Sequence, residues 1–251
     1  SRLTADGNTR IGAAIHSVRA VPAAAMPTVA EAASGRPLHV HLSEQPQENG
    51  ECLAIYGVTP SELLSREGIL GAETTAVHAT HVEASDIALL AASSTGVCLC
   101  PTTERDLGDG IDSGFALDQA GVRISLGTDQ HVAIDAFEEM RGIEMNQRLT
   151  EQARGLFPPD HLIRISSENS HRALGWPEGG RIAVGAPCDL VAIDLDSVRT
   201  SGSEPEQVVM AATAADVRTV IVGGREIVSQ GKHQVSNVPL ILRNAITPLW
   251  D

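Results

Sequence analysis

Leu38-His-Val-His-Leu-Ser-Glu-Gln45 is the stretch from which the fold and the site of this 251-residue chain are predicted. Its alternation of apolar and polar residues indicates a short strand that ends by presenting His41 and, three residues later, Glu44. Imidazole is a common ligand of zinc-type ions, and a carboxylate beside such a site can carry protons. We therefore expect a strand end at which His41 binds metal and Glu44 moves protons.

Two further strand-like runs also stop on ionisable residues, at His78 and at Asp129. Crossovers of a dozen or more residues separate the runs, which predicts parallel pairing. Side chains that meet just beyond the carboxyl ends of parallel strands are typical of a (β/α)8 TIM-type barrel. An open doubly wound sheet would also place its ligand there, but the sequence contains no Gly-rich phosphate-binding loop, so we prefer the barrel. Since five strands cannot close an eight-stranded barrel, we expect only part of one. The five runs are Ile11–Ile15, Leu38–Leu42, Thr74–Val77, Gly96–Cys100 and Val122–Leu126.

The character of the chain changes after Arg164, where a helix is followed by short strands that are punctuated by glycine turns. We expect a partial barrel catalytic domain over residues 1–175 and the carboxy-terminal part of a composite β-sandwich over residues 176–251. The expected helices are Met26–Ala33, Ser61–Glu67, Ala84–Ala92, Ala133–Arg148 and Ser166–Leu174 in the first part and Glu206–Ala214 in the second.

Composition excludes several classes of partner. The net charge of −14 argues against nucleic acid and anionic membrane surfaces, and no apolar run reaches the ~18 residues of a membrane span. The four cysteines show neither a CxxC pair nor a disulfide framework. No signal peptide is recognised at the start. We expect a cytoplasmic protein with a small-molecule substrate.

Five motifs, in this order, are similar to those of the amidohydrolase superfamily and, within it, of the formimidoylglutamate deiminases. HxHxxEQ and TEx2LGDG are the more specific of them, whereas VHATH and GTDxH are more widespread. The resemblance runs from about Gly12 through Arg225. The segments that carry it are Ile15–Pro22 (IHSVRAVP), His39–Gln45 (HVHLSEQ), Val77–His81 (VHATH), Cys100–Gly110 (CPTTERDLGDG) and Gly127–His131 (GTDQH).

The resemblance implies a zinc-dependent site at the ends of the family's fifth, sixth and eighth barrel strands. It implies that His41 and Asp129 are zinc ligands and that Asp129 is also the base that receives the proton of the hydrolytic water. Glu44 would shuttle a proton to the leaving nitrogen. His78 would help to activate or hold the water.

The same resemblance implies the reaction and the substrate contacts. N-formimino-L-glutamate would be hydrolysed to N-formyl-L-glutamate and ammonia, a step of histidine breakdown. His16 and Arg19 would contact the substrate, and Arg19 is suited to a bidentate grip on its carboxylate. The intact enzyme of the family is expected to be a homodimer.

Several other polar residues have plainer interpretations. We assign His39, which shares a face with His41, to packing, and we expect His81 to cap the following helix. His131 either contacts substrate or only completes its loop. Glu104 and Asp109 are expected to shape a turn after the family's seventh strand.

The sequence also departs from the family's pattern. No HxH strand precedes the HSxR segment, so the five strands correspond to the fourth to eighth of the barrel, and Asp112 and Gln130 replace an aromatic residue and a serine. We expect a truncated form that binds metal poorly and does not turn over alone. Two alternatives stay open: another metal-dependent amidohydrolase, acting on a nucleobase-, guanidine- or triazine-like substrate, and a non-catalytic remnant that acts in packing or oligomerisation.

Overall fold

A five-stranded, wholly parallel sheet forms the centre of the first part of the chain, as predicted. The computed structural model describes residues 9–131, 133–235 and 237–250. The strands lie in chain order, so each pairs with the next one along the sequence. They are β1 (Ala13–Ile15), β2 (Leu38–Leu42), β3 (Thr74–His78), β4 (Gly96–Leu99) and β5 (Ile124–Leu126).

Helices fill every crossover between these strands and continue after β5. Four of them, α2, α5, α6 and α8, were not predicted, because their sequences are short or lack a clear apolar period. A π-helical turn, Ile165–Asn169, joins α8 to α9. The helices are α1 (Met26–Ala32), α2 (Pro46–Tyr56), α3 (Pro60–Arg66), α4 (Ala84–Ala92), α5 (Pro101–Leu107), α6 (Gly114–Gln119), α7 (Ala136–Glu151), α8 (Pro159–Arg164) and α9 (Ser170–Ala173).

Alternation along β2 decides which of its residues enter the core. Leu38, Val40 and Leu42 are buried, whereas His39 and His41 are partly exposed on the other face. Successive side chains of a strand point to opposite faces, so burying the three aliphatic residues places both histidines on the polar face. The same strand therefore anchors the core and presents the site.

The helix α7 begins at a well-defined cap that also reaches the later part of the chain. Asp135 Oδ1 accepts hydrogen bonds from the backbone N–H groups of Phe137, at 2.9 Å, and of Glu138, at 3.4 Å. Its Oδ2 accepts a bond from Ala214 N at 2.8 Å. One carboxylate thus satisfies free N–H groups at the helix start and joins it to a distant segment.

A second sheet, antiparallel and four-stranded, occupies the last part of the chain in the order β6-β7-β8-β9. The helix predicted at Glu206–Ala214 is instead a 3-10 helix over Pro205–Met210. Within the described ranges, no helix combines the length and the apolar character that a membrane span requires. The partial TIM-type barrel and the small sheet agree with the predicted fold class, while the boundary at residue 175 stays a prediction. The strands are β6 (Leu190–Ile193), β7 (Val217–Val222), β8 (Arg225–Ser229) and β9 (Lys232–His233), followed by α10 (Val238–Ile246).

Candidate active site

Several non-glycine residues with positive φ lie at the carboxyl ends of the parallel strands. Ser43, His78 and Asp129 adopt positive φ angles of 47°, 72° and 44°. This left-handed conformation costs roughly 1–2 kcal/mol for a residue with a side chain, and such strain is often found at functional sites. Each strained residue ends or closely follows a strand that was predicted to deliver a polar group.

Three of the predicted site residues meet at this edge of the sheet. His41, His78 and Asp129 each offer one donor atom, and the three atoms lie within 4.8 Å of one another. The imidazole rings of His41 and His78 are stacked, with centroids 5.5 Å apart and an interplanar angle of 18°. Residues from β2, β3 and the segment after β5 therefore form one polar group.

The backbone of His16 orients the ring of His41. The His41 Nδ1 atom donates a hydrogen bond to the His16 carbonyl oxygen at 2.7 Å. A carbonyl oxygen can only accept, so Nδ1 carries the proton and Nε2 is left with its lone pair. The exposed ring of His16 lies beside that of His41, with centroids 5.1 Å apart. His16, expected to contact substrate, thus also supports a candidate metal ligand.

His78 is almost completely buried and lies between two carboxylates. Its Nδ1 atom is 2.9 Å from Glu104 Oε1, and its Nε2 atom is 3.6 Å from Glu44 Oε1. Burial lowers the pKa of His78, but the bond to Glu104 and the charges of Glu104, Glu44 and Asp129 outweigh burial, so the pKa lies above its ordinary value. The prediction that Glu104 only shapes a turn was wrong, because Glu104 lies in α5 and contacts a site histidine.

Arg19 is held at the site by two acidic residues. Its Nη2 atom donates to Glu44 Oε2 at 2.9 Å, and its Nε atom is 3.4 Å from Glu48 Oε2. The fully buried Glu48 also accepts a hydrogen bond from Ser43 N at 3.0 Å, and burial raises the pKa of Glu48. Glu48 was not predicted from the sequence, although its position four residues after Glu44, at the start of a helix, was a usable signal.

Other polar residues near the strand ends have structural partners. His39 Nε2 is 2.8 Å from the carbonyl oxygen of Ala173, in keeping with the packing role assigned to it. His81 does not cap α4, since Glu83 occupies the cap position there. His81 Nε2 instead bonds to the carbonyl oxygen of Asp109 at 2.7 Å. His131 is exposed, and its two interpretations stay open.

The two departures from the family's pattern are accommodated locally. Asp112 is buried, and its Oδ1 atom accepts hydrogen bonds from Gly114 N at 2.8 Å and from Gln147 Nε2 at 3.0 Å. Gln130 is exposed and donates to Asp106 Oδ2 at 2.9 Å. Asp112 therefore accepts a hydrogen bond at the start of α6, and Gln130 connects the segment that carries Asp129 to α5 by a hydrogen bond.

The donor set fits a zinc-type ion. Two imidazoles and a carboxylate are the ligand types that such an ion accepts, and catalytic zinc sites commonly have three protein ligands. The hydrogen bond of His41 leaves its Nε2 free, and the contact with Glu104 does the same for His78. The sequence analysis counted only His41 and Asp129 as ligands, and the structure adds a third donor within 4.8 Å.

Comparison with known proteins identifies the family of the chain. A family model described as the Amidohydrolase family matches residues 1–227. The formimidoylglutamate deiminase of Pseudomonas aeruginosa is 32% identical over 235 residues, which cover 89% of this chain and 52% of that protein. A 5-methylthioadenosine/S-adenosylhomocysteine deaminase of Pelotomaculum thermopropionicum is 30% identical, with coverages of 82% and 48%. An 8-oxoguanine deaminase of Pseudomonas aeruginosa is 34% identical, with coverages of 74% and 42%.

Solved structures resemble the chain closely. An adenosine deaminase from Xanthomonas campestris, crystallised with bound zinc, gives a TM-score of 0.88 at 26% identity, covering 93% of this chain and 55% of that one. An amidohydrolase from Brucella melitensis gives 0.87 at 28% identity, with coverages of 96% and 55%. The chain spans about half the length of these curated relatives and solved structures. From the family model, the order of its motifs and the shared fold, the chain belongs to the Amidohydrolase family.

Proposed function

We propose that this chain supplies the substrate-binding and proton-transfer half of a zinc-dependent deaminase that converts N-formimino-L-glutamate to N-formyl-L-glutamate and ammonia. The observation that carries the proposal is the meeting of His41, His78 and Asp129 beside a carboxylate, Glu44, that is paired with Arg19. A metal site, a proton carrier and a cation suited to an anionic substrate are thereby within one small region.

His41 and Asp129 would hold the ion, and His78 lies close enough to be the third donor. A bound zinc ion lowers the pKa of water to about 7, which supplies hydroxide at neutral pH. The similarity to a deaminase crystallised with bound zinc supports this choice of metal.

Glu44 is placed to move protons. Its Oε1 atom is 3.6 Å from His78 Nε2, a separation that one water molecule can bridge. In the proposed reaction the water oxygen bonds to the formimino carbon, and the bond from that carbon to the imino nitrogen breaks. Glu44 and Asp129 would take up the two protons of the water and return both to the nitrogen, which already carries one hydrogen and leaves as ammonia, so both carboxylates are regenerated.

Arg19 would bind a carboxylate of the substrate. A guanidinium presents donors in a fork that matches a carboxylate, but here Glu44 occupies part of that fork at 2.9 Å. An anionic substrate must therefore compete with Glu44 for Arg19. Binding of the substrate would free the Glu44 carboxylate from Arg19 and make it available to the reacting atoms.

A second candidate is deamination of an aminopurine or its nucleoside. It is favoured by the relatives that act on methylthioadenosine, S-adenosylhomocysteine and 8-oxoguanine, which are about as similar to this chain as the formimidoylglutamate deiminase. Methylthioadenosine and 8-oxoguanine carry no carboxylate for Arg19 to bind, whereas S-adenosylhomocysteine does. The ion pair between Arg19 and Glu44 therefore favours a carboxylate-bearing substrate such as formiminoglutamate over the first two.

The test is an ammonia-release assay on the zinc-loaded protein in the full-length form that its gene encodes. Formiminoglutamate, 5-methylthioadenosine, S-adenosylhomocysteine and 8-oxoguanine would be compared by kcat/KM. We expect formiminoglutamate to have the highest value. A higher value for any purine substrate would replace this proposal with the second candidate. The homodimer and the cytoplasmic location stay predictions.

A further inference from the structure

We propose that Glu104 is a positioning residue that fixes the orientation and the proton of the His78 ring. This inference rests on the proposed function, since it concerns a histidine of the same site, but it can be tested without substrate. Glu104 is grouped with His78 and Cys100 and not with His41 and Asp129, so we infer that it acts on the group of His41, His78 and Asp129 through their shared member, His78.

The contact between Glu104 and His78 is short and buried, and it involves one of the two carboxylate oxygens. Glu104 Oε1 lies 2.9 Å from His78 Nδ1, and each side chain is only 1% exposed. The other oxygen, Oε2, has no hydrogen-bond partner among the described residues. Among the described residues, His78 is therefore the hydrogen-bond partner of the Glu104 side chain.

The direction of the hydrogen bond follows from the chemistry of its acceptor. An ionised carboxylate only accepts, so Nδ1 of His78 must carry the proton. Nε2 is then the nitrogen that faces Glu44, at 3.6 Å, with a lone pair available to a metal ion or to a water proton. The opposite tautomer would direct an N–H group at the site and leave two unprotonated atoms, Nδ1 and Glu104 Oε1, facing each other.

The helix α5 is built to hold Glu104 in this place. It begins directly after β4, and Glu104 N bonds to the carbonyl oxygen of Cys100 at 3.2 Å. Glu139, in α7, accepts a hydrogen bond from Thr102 N at 3.1 Å and another from the hydroxyl group of Thr102. At the other end the left-handed Gly108, with φ of 71°, terminates the helix. Because both ends are fixed, Glu104 cannot follow His78 if the ring turns.

This arrangement corresponds to the outer hydrogen-bond partners that orient histidines in metal sites. Loss of such a partner typically lowers metal affinity or activity by ~10–100-fold. His41 has an equivalent partner in the His16 carbonyl oxygen.

The experiment uses two substitutions and a spectroscopic readout. Glu104→Met keeps the length of the side chain but removes the acceptor and the charge, whereas Glu104→Gln removes the charge and keeps an acceptor. The tautomer of His78 is read from the 15N resonances of its ring in the metal-free chain, at a pH above its pKa. Glu144→Gln is the matched control, because Glu144 is equally buried but bonds to Gly155 N and Phe157 N instead.

We expect the wild-type and Glu104→Gln proteins to carry the His78 proton on Nδ1. We expect Glu104→Met to shift the population toward Nε2–H, and the control to leave it unchanged. In the zinc-loaded enzyme, kcat for whichever substrate releases ammonia should fall ~10–100-fold in Glu104→Met and less in Glu104→Gln.

The His78 tautomer and the activity test the role of Glu104 and the proposed function separately. A wild-type His78 protonated on Nε2, or a tautomer that does not change in Glu104→Met, would overturn it, even if the deaminase activity is real. Should Glu104→Met fail to fold, the wild-type and Glu104→Gln resonances still decide which ring nitrogen of His78 carries the proton. Absence of activity on every substrate, with the His78 resonances as expected, would instead count against the proposed function alone.

Discussion

Arg19 and Glu44, 25 residues apart in sequence, are joined by a hydrogen bond of 2.9 Å between Nη2 and Oε2. The residue proposed to bind the substrate carboxylate is thus held by the residue proposed to move the proton. This ion pair has a direct kinetic consequence. We expect that an anionic substrate would replace Glu44 at Arg19, whereas a substrate without a carboxylate would leave the pair in place.

Arg19→Met is expected to lower kcat/KM for formiminoglutamate by ~10–100-fold, because hydrogen bonds to charged groups contribute about 1.5–3 kcal/mol. An N-alkylformamidine, which carries the reacting group but no carboxylate, should lose much less. The measurement is ammonia release from the two compounds. Arg10→Met is the control, since Arg10 bonds to the Gly175 carbonyl oxygen and stacks on Trp176. Equal losses for both compounds in Arg19→Met would contradict the assigned role.

Zinc binding should depend on His41 and Asp129 but not on His39. His41→Ala and Asp129→Asn each remove one of the three donors. We expect zinc affinity to fall by at least ~100-fold, which is more than the loss of a hydrogen-bond partner of a ligand typically causes. His39→Gln should leave the affinity unchanged, because its partner is the carbonyl oxygen of Ala173. Titration calorimetry with zinc measures all three. A comparable loss in His39→Gln would show that the metal lies elsewhere.

Stability should fall with rising pH because of Asp112. Burial raises the pKa of this carboxyl group to about 6. In the unfolded chain the value is about 3.9, so between the two values the folded protein binds more protons than the unfolded chain. The free energy of unfolding then decreases as pH rises through this window, by up to ~3 kcal/mol.

Asp112→Asn is expected to remove most of this decrease. Denaturant unfolding below and above the window measures the effect, and Asp106→Asn, at an exposed position, is the control. If Asp112→Asn leaves the pH dependence of the wild-type protein unaltered, another group is responsible for it.

Substitution of alanine for each of two helical glycines should change the stability of the protein in opposite directions. A Cβ atom on Gly142, in α7, would lie 2.6 Å from Pro101 Cβ, whereas one on Gly50, in α2, would meet nothing within 4 Å. Gly50→Ala should stabilise the protein by about 0.5–1 kcal/mol through helix propensity. Gly142→Ala should destabilise it by roughly 1–3 kcal/mol, because α5 must move away. Thermal or denaturant unfolding distinguishes them, and stabilisation by both would refute the close packing of α5 on α7.

Movement of α5 would also reach the site. Since α5 carries Glu104, Gly142→Ala is expected to disturb the ring of His78, while Gly50→Ala is not. The His78 ring resonances of the two variants provide the comparison. An undisturbed His78 in Gly142→Ala would show that α5 adapts without moving Glu104.

Much of the fold was predictable because its signals are local. The alternation of Leu38, Val40 and Leu42 with His39 and His41 defines a strand and its two faces within five residues. Long crossovers then imply parallel neighbours. The helix α2 was missed because its polar beginning and Gly50 conceal the period on which such predictions rest.

What the sequence by itself determined is the set of strands, their parallel order and the polar residues at their ends, including His41, His78 and Asp129. Only the tertiary structure decided the contacts of these residues: Glu104 with His78, Glu48 with Ser43 and Arg19 with Glu44. The physical reason is that strand alternation and helix period depend on neighbours in sequence. Contacts between side chains from different elements depend on how the helices pack and on which buried polar groups find partners. Neither can be predicted from a local sequence pattern.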